Sequence, residues 1–511
     1  MLYRGSLVVV AAALVALLSC WQVIAEDEAA DWRYPKGDSR NTCSIEHQFP
    51  SALTEPIVRW EIETNAADAF QGRQGYGICI ADLDSDDQLE LLISRGLWTV
   101  GTTSLVSLSL SDGSTEWECG LLPRERVQWA SPVVVDLDED GGLEVVCGTK
   151  QRVLALDGAT GTTEWQVPFD EQSMCLSAAQ LSDGHKPSIV VSSYGDPKGC
   201  FMLDGSAGAK VWEYTTGGSA YNVPAIADIN NGGAKEILFH VHRYSPSREV
   251  MLCLSASGQE LWRYAASPSP AQDSQKPEEL GWVPDYGYVS AVSGDFLGNG
   301  ERQVYFATRC NAYLLTNQGK LIWRFPLVEG FGVQLTKNED GSVTPDDHGT
   351  GGIVDHAAVG DVNGDNALDV IMGVDPEYRA TYDVATGVTT YDRVHRNNRV
   401  IALDGTSGRL LWAFEGAYPS EDGLESMCQP ILVDLDGDAS LDVVVVSWDG
   451  NLYGLRGADG EVLWTHSLGS AYPYPQLAGA CVSDDTLLLV IVGFDYVMDE
   501  GRLTVLELSP G

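Results

Sequence analysis

Carboxylates recur along this chain at alternate positions of short loops, and each loop runs into an apolar stretch. ADLDSDDQLELLI begins at Ala81, VDLDEDGGLEVV at Val135, GDVNGDNALDVIM at Gly360 and VDLDGDASLDVVVV at Val433. Counted from the first Asp, oxygen-bearing side chains stand at positions 1, 3 and 5, with another acid at position 9. A calcium ion takes about six to eight oxygen ligands, and side chains at alternate positions can wrap them around one ion. An EF-hand would place its bidentate acid at about position 12 and lie between helices. These loops are therefore a different arrangement, set between strands. Acids crowded into one loop repel until a cation neutralises them, which would give the ion a structural role. The same residues have a plainer reading as well, since Asp, Asn and Gly favour turns unaided.

The elements that position these loops repeat. The acidic loop followed by a strand recurs as ADINNGGAKEILF from Ala227 and GDFLGNGERQVYF from Gly294, with weaker copies QLSDGHKPSIVV from Gln180 and CVSDDTLLLVIV from Cys481, eight in all. A second motif places Gly four residues before Trp, at Gly113/Trp117, Gly161/Trp165, Gly208/Trp212, Gly258/Trp262, Gly319/Trp323, Gly408/Trp412 and Gly460/Trp464. The two motifs alternate strictly, so one unit reads as four short strands joined by turns. Four-stranded units repeated in this way predict an all-β fold, a β-propeller of eight blades with four strands per blade. The eighth unit ends at its third strand, RLTVLELSPG, while an orphan Trp strand, PIVRWEIET with Trp60, stands near the other end. The ring is predicted to close when the Trp60 strand completes the last blade. The repeated Trp packs the interfaces between blades, and Asp-Gly turns close the hairpins before it.

At this point the residues resemble known families. The Gly-x-x-x-Trp units look like the repeats of PQQ-like, or quinoprotein-like, propellers. The acidic loops are similar to the FG-GAP or VCBS repeats of integrin-α-like calcium-binding propellers. The latter resemblance implies four full sites: Asp82, Asp84, Asp86 and Glu90; Asp136, Asp138, Asp140 and Glu144; Asp361, Asn363, Asp365 and Asp369; Asp434, Asp436, Asp438 and Asp442. It implies a partial site at Asp228, Asn230 and Glu236, where Gly232 replaces a ligand, and a poorer one at Asp295 and Asn299. Bound PQQ is not expected. Quinoprotein dehydrogenases, as a family, use adjacent cysteines near the quinone, and this chain has neither an adjacent Cys pair nor a CxxCH haem motif. Propellers of these families include lyases, adhesins, scaffolds and dehydrogenases, so the fold alone does not name an activity.

Composition narrows the partners. The chain has 511 residues with 31 Lys and Arg against 73 Asp and Glu, a net charge of −42. So acidic a protein has no general attraction for nucleic acid or an anionic membrane surface. With 44% hydrophobic residues and 14 Trp it can still bury a core. Residues 1–25 read as a secretory signal, with Arg4, an apolar run from Leu7 to Leu18 and small residues before the cleavage point near Ala25. Leu17-Leu18-Ser19-Cys20 is also similar to a lipoprotein box, which would leave a lipid anchor at Cys20. No segment reaches the length of a transmembrane span. Residues 26–54 are a lead-in and 55–511 a single propeller. The ten cysteines beyond residue 25 occur singly, and both buried thiols and a few disulfides fit an exported chain.

In a four-stranded blade the acidic loops and Asp-Gly turns share one face, and the other connections share the opposite one. The three long insertions, residues 267–286, 329–351 and 374–397, all fall on the second face, over adjacent blades. Loops gathered on a rigid scaffold are where binding is expected. His348, His356, His395, Tyr391 and Arg393 lie there as catalytic candidates, able in principle to bind an acidic sugar and move a proton, or simply to be solvated loop residues. The expected function is an exported, calcium-binding interaction module for a protein or glycan. The alternatives are a polysaccharide lyase or other carbohydrate-active enzyme, and a cell-envelope scaffold lipoprotein.

Overall fold

The computed structural model describes residues 38, 43–45, 47–65, 78–96, 103–122, 132–149, 151–168, 173–182, 184–193, 199–220, 222–244, 247–266, 290–308, 311–327, 335–337, 343–345, 350–383, 388–393, 399–415, 430–447, 450–469, 475–495 and 500–511. Among them there is no helix, and hence none long and apolar enough to cross a membrane. The described strands form eight antiparallel blades of four strands in sequential order, with a fifth strand added to the sixth and a separate two-stranded hairpin beside them; the last blade takes its fourth strand from Ile57–Asn65. That strand pairs with Glu500–Leu508, Trp60 opposite Val505, so the ring closes as the repeat count predicts.

Each sheet's first strand touches the first strand of the next blade, and Cys79–Ala81 of blade one touches Gln476–Ser483 of blade eight. The first strands therefore form the inner circle. Fourth strands lie outside, alternating exposed and half-buried residues, as in Lys210–Thr215 and Glu260–Ala265. Second and third strands are apolar runs buried on both faces, such as Glu144–Gly148 and Asp442–Val446. Their side chains build cores between neighbouring blades rather than within one. Cys79, Leu92, Val134 and Cys147, for example, join blades one and two.

The Gly-x-x-x-Trp motif turns out to be two halves of different contacts. Trp117 of blade one lies against Gly161 of blade two, and its indole N–H donates to the Gly158 carbonyl at 2.8 Å. Gly161 has φ +66°, and a Cβ there would sit 2.5 Å from the ring, so only glycine fits. Trp60, Trp165, Trp212, Trp262, Trp323 and Trp412 repeat this dock on the turns of the following blades, donating at 2.7–3.0 Å. A register shift falls just before the Trp in every fourth strand. Such a bulge bends the strand and re-aims the side chain that follows.

Two insertions differ from the expected loops. Asp369–Asp383, the second strand of blade six, runs on past the sheet and pairs with Val388–Arg393. Alternating Thr, Tyr and Val on either side of an Ala-Thr-Gly stretch carry the strand propensity that makes this a hairpin. Leu335–Lys337 and Val343–Pro345 form a smaller hairpin, and its second strand lies against that extended strand. The 267–286 insertion, His348, His395 and the 1–25 segment with Cys20 lie outside the described residues. His356, Tyr391 and Arg393 are placed on strands by their backbone alone. Eight cysteines of the described residues carry thiols rather than disulfides. Burial pushes the Cys481 thiol up to about 12. Cys310 and Cys428 lie outside the described residues.

Candidate metal centres

Six acidic loops share one conformation. The Asp at position 1 accepts backbone N–H groups from positions 5 and 6: Asp82 from Asp86 and Asp87, Asp136 from Asp140 and Gly141, Asp228 from Gly232 and Gly233. Asp295, Asp361 and Asp434 do the same in blades five, six and seven, with Asp434 taking Gly437 in place of position 5. Position 4 and position 6 are left-handed in all six, which the Asn, Gly, Asp and Ser of these turns tolerate best. Ala439 in blade seven and Glu139 in blade two hold the same conformation without one of these side chains. The side chain at position 9 is buried and accepts the N–H of position 2: Glu90 from Leu83 at 2.7 Å, Glu144 from Leu137, Asp369 from Val362 and Asp442 from Leu435.

Blades four and five fold the same way with incomplete acids. In blade four the Asn230 amide donates to Glu236 at 2.6 Å, and in blade five Gln303 accepts from Phe296, so the loop keeps its shape with the Asp at position 1 and without the full set of acids. Conformation alone therefore does not mark a metal site. Bunched charge is the distinguishing feature. Carboxylate oxygens of Asp82, Asp84 and Asp86 lie within 4.8 Å of one another, as do those of Asp136, Asp138 and Glu144, and those of Asp434, Asp436 and Asp442. Such all-carboxylate sets suit a hard divalent cation. Asp140, Glu90 and Asp438 stand outside these groups of three, and among the described residues Asp361, Asp365 and Asp369 form no such group. The loops of blades two and seven also meet a protein cation: Lys186 donates to the Asp138 carbonyl, and Arg456 approaches Asp436 at 3.9 Å.

Two further carboxylates escaped the motif reading. Glu116 and Glu164 occupy the bulge before Trp117 and Trp165, in the two blades with the densest loops. Burial raises the Glu116 carboxyl, and Asp84 and Asp86 raise it further. Glu164 is raised by burial and by Asp138, Asp157 and Asp140. The signal was available in the sequence: the residue before Trp is Glu only in these two repeats, and Val211, Leu261, Ile322, Leu411, Leu463 or Arg59 elsewhere.

The position-9 acids are strained electrostatically. Burial, then the neighbouring acids, push Glu90 up to about 8 and Glu144 to about 7, while burial and the nearby Asp residues raise Asp369 and Asp442 to about 7. A carboxyl raised above its unfolded value holds its proton in the folded state, so its stabilising contribution is complete below the unfolded value and is lost as pH rises through the folded one. Chelator-treated protein is therefore expected to melt progressively lower between about pH 5 and about pH 8. Saturating calcium, which neutralises the same oxygens, should flatten that fall. Melting curves across pH with and without calcium check both.

A ring of four-stranded blades, locked by tryptophan docks and carrying repeated loops on one face, defines a PQQ-like repeat β-propeller. The PQQ_2 family model, described as outer membrane protein assembly factor BamB, matches residues 91–232 and 375–494, just over half of the chain, and the chain belongs to that family. No curated protein matches the sequence. Among solved structures, quinohemoprotein alcohol dehydrogenase from Comamonas testosteroni is similar at TM-score 0.60 and 13% identity, covering 96% of this chain and 82% of that one. A europium-containing methanol dehydrogenase is similar at 0.63 and 11%, covering 93% and 98%. Sqt1 of Saccharomyces cerevisiae is similar at 0.51 and 11%, covering 90% and 100%. At these identities the likeness is one of fold.

Proposed function

We propose that this chain is an exported, calcium-stabilised interaction module that binds a protein or glycan through its insertion-bearing face. The observation that carries the reading is the meeting of two insertions, where the strand Val343–Pro345 lies against the extended second strand of blade six. A rigid ring that displays irregular additions on one side is a common platform for recognition. The family description, an assembly factor of the outer membrane, supports a protein ligand and a cell-envelope location. In this reading residues 1–25 are a removed signal, 26–54 the lead-in and 55–511 the working ring.

Calcium would sit in the loops of blades one, two and seven, held by Asp82, Asp84 and Asp86, by Asp136, Asp138 and Glu144, and by Asp434, Asp436 and Asp442. Blade six, with Asp361, Asn363, Asp365 and Asp369, would supply a fourth and weaker site. Glu116 and Glu164 would add charge to the first two. The ion's chemistry there is neutralisation, and the chain's own backbone N–H groups already set the loop shape.

A photo-crosslinking residue placed in turn within 329–351 and 374–397 tests the binding face. Adducts to a protein or glycan at these positions, and none from the acidic-loop face, are expected. Unsaturated-product absorbance on uronate-containing polysaccharide, lost on His348→Ala, His356→Ala or His395→Ala, would replace the module reading with a lyase. Metabolic lipid labelling at Cys20 would assign a lipoprotein scaffold.

A further inference from the structure

Among the described residues, seven of the eight seams between blades carry a tryptophan dock, and the seam between blades seven and eight carries none. Its tryptophan, Trp464, has a buried indole N–H without an acceptor among the described residues. The reason is topological. In every other blade the acceptor is a carbonyl on the turn between the third and fourth strands. In blade eight those strands come from opposite ends of the chain, so no turn joins them.

The lead-in occupies this seam instead. On blade seven, Leu432 of the inner strand donates to the Cys43 carbonyl at 3.1 Å and accepts from Ile45 N–H at 2.8 Å, a parallel pairing centred on Ser44. Leu53 N–H then donates to Leu435 at 2.7 Å. On blade eight, the Ile45 side chain packs over Gly479, and His47 Nε2 lies 3.1 Å from the Asp484 carbonyl. Thr54 donates to the Ser509 carbonyl through both its N–H and its hydroxyl. Cys43, Ile45, Phe49 and Leu53 are buried in a core that runs from blade six through blades seven and eight to blade one.

We propose that residues 43–45 and 47–54 form a clasp that replaces the missing eighth dock, and that the ring opens first at this seam. A dock joins neighbouring repeats through one side chain fixed on its own blade. The clasp joins residues as far as 455 positions apart, and its release frees one short segment without unfolding any blade. Local openings that expose little buried surface have the lowest free energies. Opening would uncover the inner edge of blade seven at Ile431–Val433, a strand with unpaired backbone groups.

Native-state hydrogen exchange on the full chain with calcium present tests this. Phe49→Ala should speed exchange at Ile431–Val433 and Gln476–Ser483 by about a hundredfold or more, the exchange equivalent of removing a buried aromatic ring. Ser173–Ala179 on the far side should be unchanged. Phe49→Leu, which keeps most of the volume, should give the same pattern at smaller amplitude and serves if the alanine variant does not fold. Trp464→Phe should leave its seam within about threefold of the parent, while Trp165→Phe speeds its own seam by about tenfold, because only the latter leaves a carbonyl unpaired. Exchange that rises equally in all blades, or a seam indifferent to both Phe49 variants, overturns the clasp.

Discussion

Trp323→Ala is expected to lower the stability of the ring by about 3–5 kcal/mol, the range for removing a buried aromatic side chain. Trp323 is 8% exposed, packs beside Tyr305 at 6.4 Å between ring centres, and donates to the Gly405 carbonyl at 2.7 Å. Its removal leaves a cavity at the seam of blades five and six and orphans that carbonyl. Trp323→Phe keeps much of the volume and loses the N–H, so about 1–3 kcal/mol should go, the cost of a buried group left without its partner. Gly408→Ala attacks the same contact from the other side, because a Cβ would stand 2.6 Å from the indole on a residue with φ +67°. The double variant Trp323→Ala/Gly408→Ala should then lose less than the sum of its parts, since the cavity accommodates the added methyl. Urea unfolding of the four proteins decides it. A Trp323→Ala protein within about 0.5 kcal/mol of the parent would mean the dock is not what holds the blades together.

Calcium withdrawal should produce the other large effect. Each site bound only in the folded state adds about 2.7 kcal/mol when free calcium is about a hundred times its dissociation constant. Three gathered carboxylate groups should therefore make the melting temperature fall by several degrees or more on chelation, and rise again when calcium is restored. Magnesium should restore less, because it demands near-octahedral geometry and keeps its water. Asp84→Asn, Asp138→Asn and Asp436→Asn each remove charge from one group while keeping an oxygen, and each should shrink the calcium-dependent shift by part. Asn230 and Asn363 show that an amide fits this third position of the loop, so the substitutions need not disturb the fold. A melt unchanged by chelation, together with no metal by elemental analysis, rules the sites out.

How far the sequence could be read depended on whether a signal was local. The alternation that marks a strand, the Asp-Gly turns and the fixed Gly-to-Trp offset all lie within about a dozen residues, and counting them predicts eight blades. The orphan strand at Trp60 could be assigned because a ring of sheets leaves one fourth strand missing. The insertion hairpins were less legible, since Thr, Tyr and Val between Asp and Gly suit a loop or an extended strand equally until a partner edge is present. The loop oxygens were legible as a list but not as a set. Spacing alone treats Glu90 and Glu144 alike, whereas the fold gathers Glu144 with Asp136 and Asp138 and leaves Glu90 outside the first group of three.

The repeat pattern by itself therefore determined the architecture, the blade count and the way the chain closes, because each blade is a local unit stacked on its neighbours. Only the tertiary structure decided which residues meet across a seam. It showed that the Gly and Trp of one motif serve two different interfaces, with Trp323 reaching Gly405 across 82 residues. It brought Glu116 and Glu164 to loops that precede them in the chain, and laid residues 43–45 and 47–54 along the seam of blades seven and eight. Such contacts carry no sequence periodicity. They follow from the curvature that closes the ring, which juxtaposes turns, bulges and chain ends that no short stretch of sequence relates.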